Sequence, residues 1–145
     1  MDFPRDCATA AELRTLGWEL AEGLSAGQAV GLCGELGAGK TELVKGLAAG
    51  LGFLEPVTSP TFTLLHEYRG GRLPLFHYDF YRIEHADELI DLGWDDLLEE
   101  GVVVAEWADR FPDLLPGGSR WLTLEILPDG GRRISERPWS GHQSL

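Results

Sequence analysis

The chain has 145 residues, and 24 acidic against 12 basic side chains give it a formal net charge of −12. That excess of negative charge argues against direct tight binding to nucleic acid or an anionic membrane, because both need a basic face. The length suits one domain over residues 1–145, with a real core and little room for a separate substrate domain. No apolar run is long enough to span a bilayer, and no leader or lipidation motif is read, so a cytoplasmic protein is expected. Cys7 and Cys33 form no C-x-x-C pair, which argues against a thiolate metal site or a disulfide framework.

In chain order, Thr9 is a candidate N-cap, followed by Leu13, Leu16, Leu20 and Leu24 at helical spacing. Ala29-Val30-Gly31-Leu32-Cys33 is a short apolar run that reads as a buried strand. Gly34-Glu35-Leu36-Gly37-Ala38-Gly39-Lys40-Thr41 comes next and matches G-x-x-x-x-G-K-[ST] at every position. Leu43, Val44, Leu47 and Leu51 then continue at helical spacing to a stop at Gly52. The order strand, glycine loop, helix is the context that a phosphate-binding loop requires. Its glycines let backbone N–H groups face a phosphate chain, Lys40 supplies a compact positive charge, and the Thr41 hydroxyl can ligate Mg2+. Lys40 and Lys45 are the only lysines among twelve basic residues, so a chain that otherwise uses arginine has lysine where a point charge is needed.

Residues 62–68 and 73–80 read as strands joined by Arg69-Gly70-Gly71-Arg72 in an antiparallel hairpin. Residues 86–100 are acidic with leucines at helical spacing and read as one or two short helices ended by Gly101. Val102-Val103-Val104-Ala105 is a second fully apolar strand. Residues 121–127 and 132–136 flank Pro128-Asp129-Gly130-Gly131 as a closing hairpin, and the final residues are expected to be loosely ordered. The fold class is therefore α/β: a mainly parallel, P-loop-type sheet with antiparallel hairpin additions and helices on both faces.

Three further segments carry candidate chemistry. Glu106 directly follows the second apolar strand, where phosphate-loop proteins place the acid that holds Mg2+ or its water; the alternative is a surface carboxylate at a strand end. Strand alternation in His77-Tyr78-Asp79-Phe80-Tyr81-Arg82 puts His77, Asp79 and Tyr81 on one face. Asp79 then either reaches the phosphates, or belongs to a half-solvated hairpin face with a structural His–Asp hydrogen bond. The hydroxyls of Thr58-Ser59-Pro60-Thr61-Phe62 suit a loop that senses the γ-phosphate, and equally suit ordinary turn chemistry. Trp107 and Phe111 read first as core, and otherwise as part of an apolar contact patch.

Together the glycine loop, Thr58-Ser59-Pro60-Thr61-Phe62, the His77–Arg82 block and Val104-Ala105-Glu106-Trp107, in this order and in so small a chain, resemble the bacterial TsaE family. The resemblance runs from about Thr9 to the closing hairpin. It implies a P-loop ATPase of tRNA threonylcarbamoyladenosine biosynthesis that works on the TsaD and TsaB proteins. Carried over position by position, it implies that Gly37, Ala38, Gly39, Lys40 and Thr41 bind the ATP phosphates. Thr41 and Glu106 would hold Mg2+, Asp79 would support hydrolysis beside Lys40 and Glu106, and residues 58–62 would act as a switch-like loop. Thr9 would approach the nucleotide and Arg133 would lie near the base. Glu42 departs from the family's usual small or hydroxyl residue and adds an unhelpful negative charge beside the loop. A small-molecule kinase would need an arginine-rich lid that is not read here, and a guanine-specific N-K-x-D motif is excluded by the absence of asparagine. A nucleotide-dependent binding switch without useful turnover stays open.

Overall fold

The computed structural model describes residues 2–35, 37–56 and 64–137. The sequence expectations for residues 58–62 and for the last eight residues, 138–145, lie outside them. Seven strands form one sheet in the order β1-β7-β6-β2-β5-β4-β3. The strands are β1 Arg5–Cys7, β2 Ala29–Cys33, β3 Leu65–Tyr68, β4 Leu75–Asp79, β5 Val102–Glu106, β6 Arg120–Ile126 and β7 Arg132–Glu136. The middle four run parallel, β6 and β5 each pairing with β2, and β4 with β5. The β3–β4 and β6–β7 hairpins and the outer β1–β7 pair are antiparallel. This is the expected α/β architecture. The three-residue β1 was not expected, since its sequence carries no strand pattern and only the open edge of β7 calls it into the sheet.

The two apolar runs became the sheet's centre for a simple reason. β2 and β5 are covered on both faces, so every position in them is apolar or small except Glu106 at the end of β5, where chemistry begins. Helices α1 Ala10–Ala21 and α2 Lys40–Gly50 bury Leu13, Leu16, Leu20, Leu43, Val44 and Leu47 against one face, with Val30, Leu32, Val102 and Val104. Helices α3 Asp87–Asp91 and α4 Trp94–Glu100 cover the other, where Leu89 and Trp94 meet Phe76, Tyr78, Phe80 and Val103. Thr9 caps α1 as expected: its Oγ1 accepts the Glu12 N–H at 3.2 Å.

α1 and α2 approach so closely that side chains are excluded from the seam. A Cβ at Gly46 would lie 1.9 Å from the Arg14 carbonyl oxygen, and one at Gly17 would lie 2.2 Å from that of Leu43. This contact packs the middle of α2 directly against the α1 backbone. In an open helix, Gly→Ala stabilises by about 1 kcal/mol. Here Gly46→Ala is expected to destabilise by about 1–3 kcal/mol through overpacking, read as a lower urea midpoint at unchanged slope.

Candidate functional site

The loop after β2 bends on glycines with left-handed φ, Gly34 at 144° and Gly39 at 98°. Gly39 occupies the N-cap of α2 without any side-chain cap, so the first N–H groups of the helix are left for an anion. Lys40 opens that helix and is only 5% exposed. Its Nζ donates to the carbonyl oxygens of Gly34 and, at 3.2 Å, Glu35, and lies 4.1 Å from the centre of the Trp107 ring. Burial pulls the Lys40 pKa down from its ordinary value, and the negative charge of Glu106 opposes that pull.

The carboxylates come from the ends of the neighbouring strands. Register sets Glu106 of β5 opposite Leu32 of β2 on one side and Asp79 of β4 on the other. Both acids therefore reach the end of the sheet where the glycine loop begins, which is where open α/β sheets hold ligands. Glu106 is 7% exposed, and its Oε2 accepts a hydrogen bond from His77 Nε2 at 2.6 Å. The alternative reading of His77 and Asp79 as a half-solvated pair is thereby corrected. His77 is fully buried and bonded to Glu106, while Asp79 Oδ1 accepts the Tyr81 N–H at 2.9 Å. Burial raises the pKa of Asp79, against that bond.

A cavity of about 420 Å³ joins these groups. Gly37, Gly39, Lys40, Thr41 and Glu42 line it from the loop and α2, Asp79, Tyr81 and Arg82 from the end of β4, and Glu106 and Trp107 from β5. Trp107 is not simply core, as the sequence suggested. It lines the cavity, its ring lies 4.9 Å from that of Tyr81, and its φ of 58° is the one positive value outside glycine among the described residues. A left-handed tryptophan costs about 1–2 kcal/mol, and strain of that kind concentrates at working sites. Glu42, which also borders the cavity, is not a bare charge. Burial pushes its pKa up, but hydrogen bonds from Lys45 and Arg14 outweigh this and hold it ionised and paired.

The remaining site residues divide. Ala38 is fully buried beneath the loop, with its N–H donated to Glu35 at 3.1 Å. Thr9 lines a second cleft of about 200 Å³ on the far side of Gly37 and Gly39. Arg133 lines neither cavity; its guanidinium pairs with Asp6 at 2.8 Å. The neighbouring Arg132 is the arginine that reaches the loop, donating to the Gly37 carbonyl at 3.0 Å and bordering the Thr9 cleft. Alternation along β7 decides between the two, but the sequence alone did not show which face of β7 turns inward. The Thr41 hydroxyl and the Asp79 and Glu106 carboxylates are oxygen donors bordering one cavity with Lys40. Such a set suits Mg2+ completed by phosphate and water. Among the described residues no group of three or more His, Cys, Asp or Glu is gathered into an all-protein cage.

A glycine loop between a central parallel strand and an uncapped helix, flanked by acids from adjacent strand ends, defines a P-loop-type nucleotide-binding protein. The model of the family described as threonylcarbamoyl adenosine biosynthesis protein TsaE matches residues 7–134, and the chain belongs to that family. Relatives named tRNA threonylcarbamoyladenosine biosynthesis protein TsaE include one from Treponema pallidum, 42% identical over 89% of this chain and 97% of its own length. Another, from Bacillus subtilis, is 44% identical over 75% of this chain and 68% of its own. One from Nostoc is 48% identical, matched over 67% of this chain and 62% of its own length. The crystal structure of Bacillus subtilis YdiB superposes with a TM-score of 0.78 at 28% identity, covering 98% of this chain and 88% of that one. The chain thus belongs with proteins of tRNA threonylcarbamoyladenosine biosynthesis. Among the described residues no helix is long and apolar enough to cross a membrane.

Asp79 is held at a cost to the fold, and the sign is testable. Its folded pKa is raised, so the native state binds a proton more readily than the unfolded chain, and stability falls as pH rises from the unfolded value through the folded one. Asp79→Asn keeps an oxygen for the Tyr81 N–H and removes the charge. It is expected to melt above wild type at pH 7, with the difference closing as pH falls below about 4, the ordinary aspartate value; thermal unfolding across pH measures it.

Proposed function

We propose that the chain binds ATP with Mg2+ in the cavity between the glycine loop, Asp79 and Glu106, hydrolyses it slowly alone, and passes the change to a partner complex of TsaD and TsaB that modifies tRNA. The observation that carries this reading is Lys40: a buried ammonium held by two loop carbonyls, at the uncapped start of a helix, in one cavity with two carboxylates. Phosphate oxygens are better acceptors for that ammonium than the carbonyls, so nucleotide binding would draw Nζ from the loop to the ligand. The N–H groups of Gly37, Gly39, Lys40 and Thr41 would cradle the β- and γ-phosphates, that of Ala38 joining them on release from Glu35, and Thr41 and Glu106 would hold the metal. Bound Mg2+ would neutralise charge that develops on the phosphates. Asp79, kept in place by the Tyr81 N–H, would orient the attacking water. Arg132 would steady the loop at Gly37, beside the Thr9 cleft that suits the nucleoside end.

Charge supports the division of labour. With a net charge of −12 the chain is a poor holder of tRNA, so tRNA contact falls to the partners and this subunit contributes nucleotide-driven change. The test is capture of partners by the tagged full-length chain with and without ATP. Wild type is expected to retain TsaD and TsaB when ATP is present, and Lys40→Ala is expected to lose nucleotide binding and ATP-dependent capture. Capture indifferent to ATP and to Lys40, or rapid hydrolysis by the isolated chain, would overturn the proposal. In direct nucleotide titration, Arg132→Ala is expected to weaken binding by about tenfold, corresponding to about 1.4 kcal/mol, whereas Arg133→Ala stays near wild type.

A further inference from the structure

His77 is a polar side chain with no exposed surface in the middle of β4. It stands opposite Val104 in the β4–β5 register, two positions behind the Asp79–Glu106 pair. On its other side it stands opposite His66 in the β3–β4 register, and the Tyr68 ring centre lies 6.2 Å from its own. A leucine would fill this place without the desolvation cost of an imidazole. What the imidazole adds is one bond, Nε2 to Glu106 Oε2 at 2.6 Å; its Nδ1 is buried with no hydrogen-bond partner among the described residues. With no partner for Nδ1 among the described residues, the bond to the carboxylate assigns the proton to Nε2, which donates it to Glu106.

We propose that His77 is a positioning residue that aims the Glu106 carboxylate into the nucleotide cavity. The inference rests on the reading of Glu106 as the Mg2+-side acid. The bond occupies Oε2, leaves Oε1 outside it, and fixes the torsions of a side chain that borders the cavity. It also keeps Glu106 from folding onto Lys40. Among the charges acting on Lys40, that of Glu106 is the largest. A carboxylate released from His77 would be drawn to that ammonium, and both would be lost to a metal–phosphate ligand. Buried partners that orient a metal carboxylate are worth about 10–100-fold in metal affinity.

The test titrates Mg2+ against the full-length chain at saturating fluorescent ATP analogue, with nucleotide binding in excess chelator measured in parallel. His77→Leu is expected to raise the half-saturating Mg2+ concentration by about 10–100-fold while metal-free nucleotide binding stays at the wild-type level. His77→Gln, which can present an N–H near the position of Nε2, is expected to recover most of the loss. Thermal unfolding verifies that the variants are folded, and His77→Met replaces His77→Leu should the latter not fold. A folded His77→Leu (or His77→Met) with wild-type Mg2+ dependence, or a His77→Gln no better than it, overturns the proposal. Glu106→Gln separates the two levels. If it raises the Mg2+ requirement and His77→Leu does not, only the positioning role fails; if Glu106→Gln changes nothing, the metal-side reading of Glu106 fails and the role of His77 falls with it.

Discussion

The parallel pairing of β2 with β5 is the contact on which the rest of the site depends. Two runs of small and β-branched residues, covered on both faces, lie side by side with Ala29 opposite Val103 and Leu32 opposite Glu106. Because they run the same way, both end at the same edge of the sheet. One ends in the glycine loop and the other in a carboxylate. β4 joins β5 in the same sense and adds Asp79 one strand further out. A register slip of one residue would turn Glu106 to the opposite face and dismantle the site. The apolar burial that stabilises the centre of the sheet is thus also what sets the distance between cation and acids.

The site works against the fold that holds it. Lys40, Glu106 and His77 are the polar and charged residues buried among those described, and they gather at one end of β4, β5 and the glycine loop. Trp107 adds backbone strain at the same place. A core built for stability alone would replace these groups with leucine and valine. Their partners are unequal: Lys40 has loop carbonyls and an aromatic face, Glu106 has His77, and Asp79 has one backbone N–H. The arrangement keeps each charge solvated by the protein just well enough to remain in position for a ligand that offers more.

Much of this was legible in the order of residues. The glycine loop announces itself because phosphate binding needs particular residue types at consecutive positions. Both central strands show as unbroken apolar runs, and the acid at the end of one of them shows by its abruptness. The β3–β4 hairpin follows from its Arg-Gly-Gly-Arg turn, and the cap of α1 from Thr9. Less legible were features that need a partner from elsewhere in the chain. β1 has no pattern of its own and forms because β7 has an open edge. Trp107 reads as core until its left-handed backbone turns the ring over Lys40. Arg132 and Arg133 are indistinguishable as neighbours, and only the packed face of β7 sends one to Gly37 and the other to Asp6.

By itself, then, the sequence determined the chemistry of the phosphate loop, the two strands that flank the site and the α/β class, because these rest on local residue type and periodicity. The tertiary structure alone decided which acid His77 serves, which arginine reaches the loop and how closely α1 presses on α2 at Gly46. Those depend on register and on which face of an element is buried, quantities that arise only when distant segments compete for the same space.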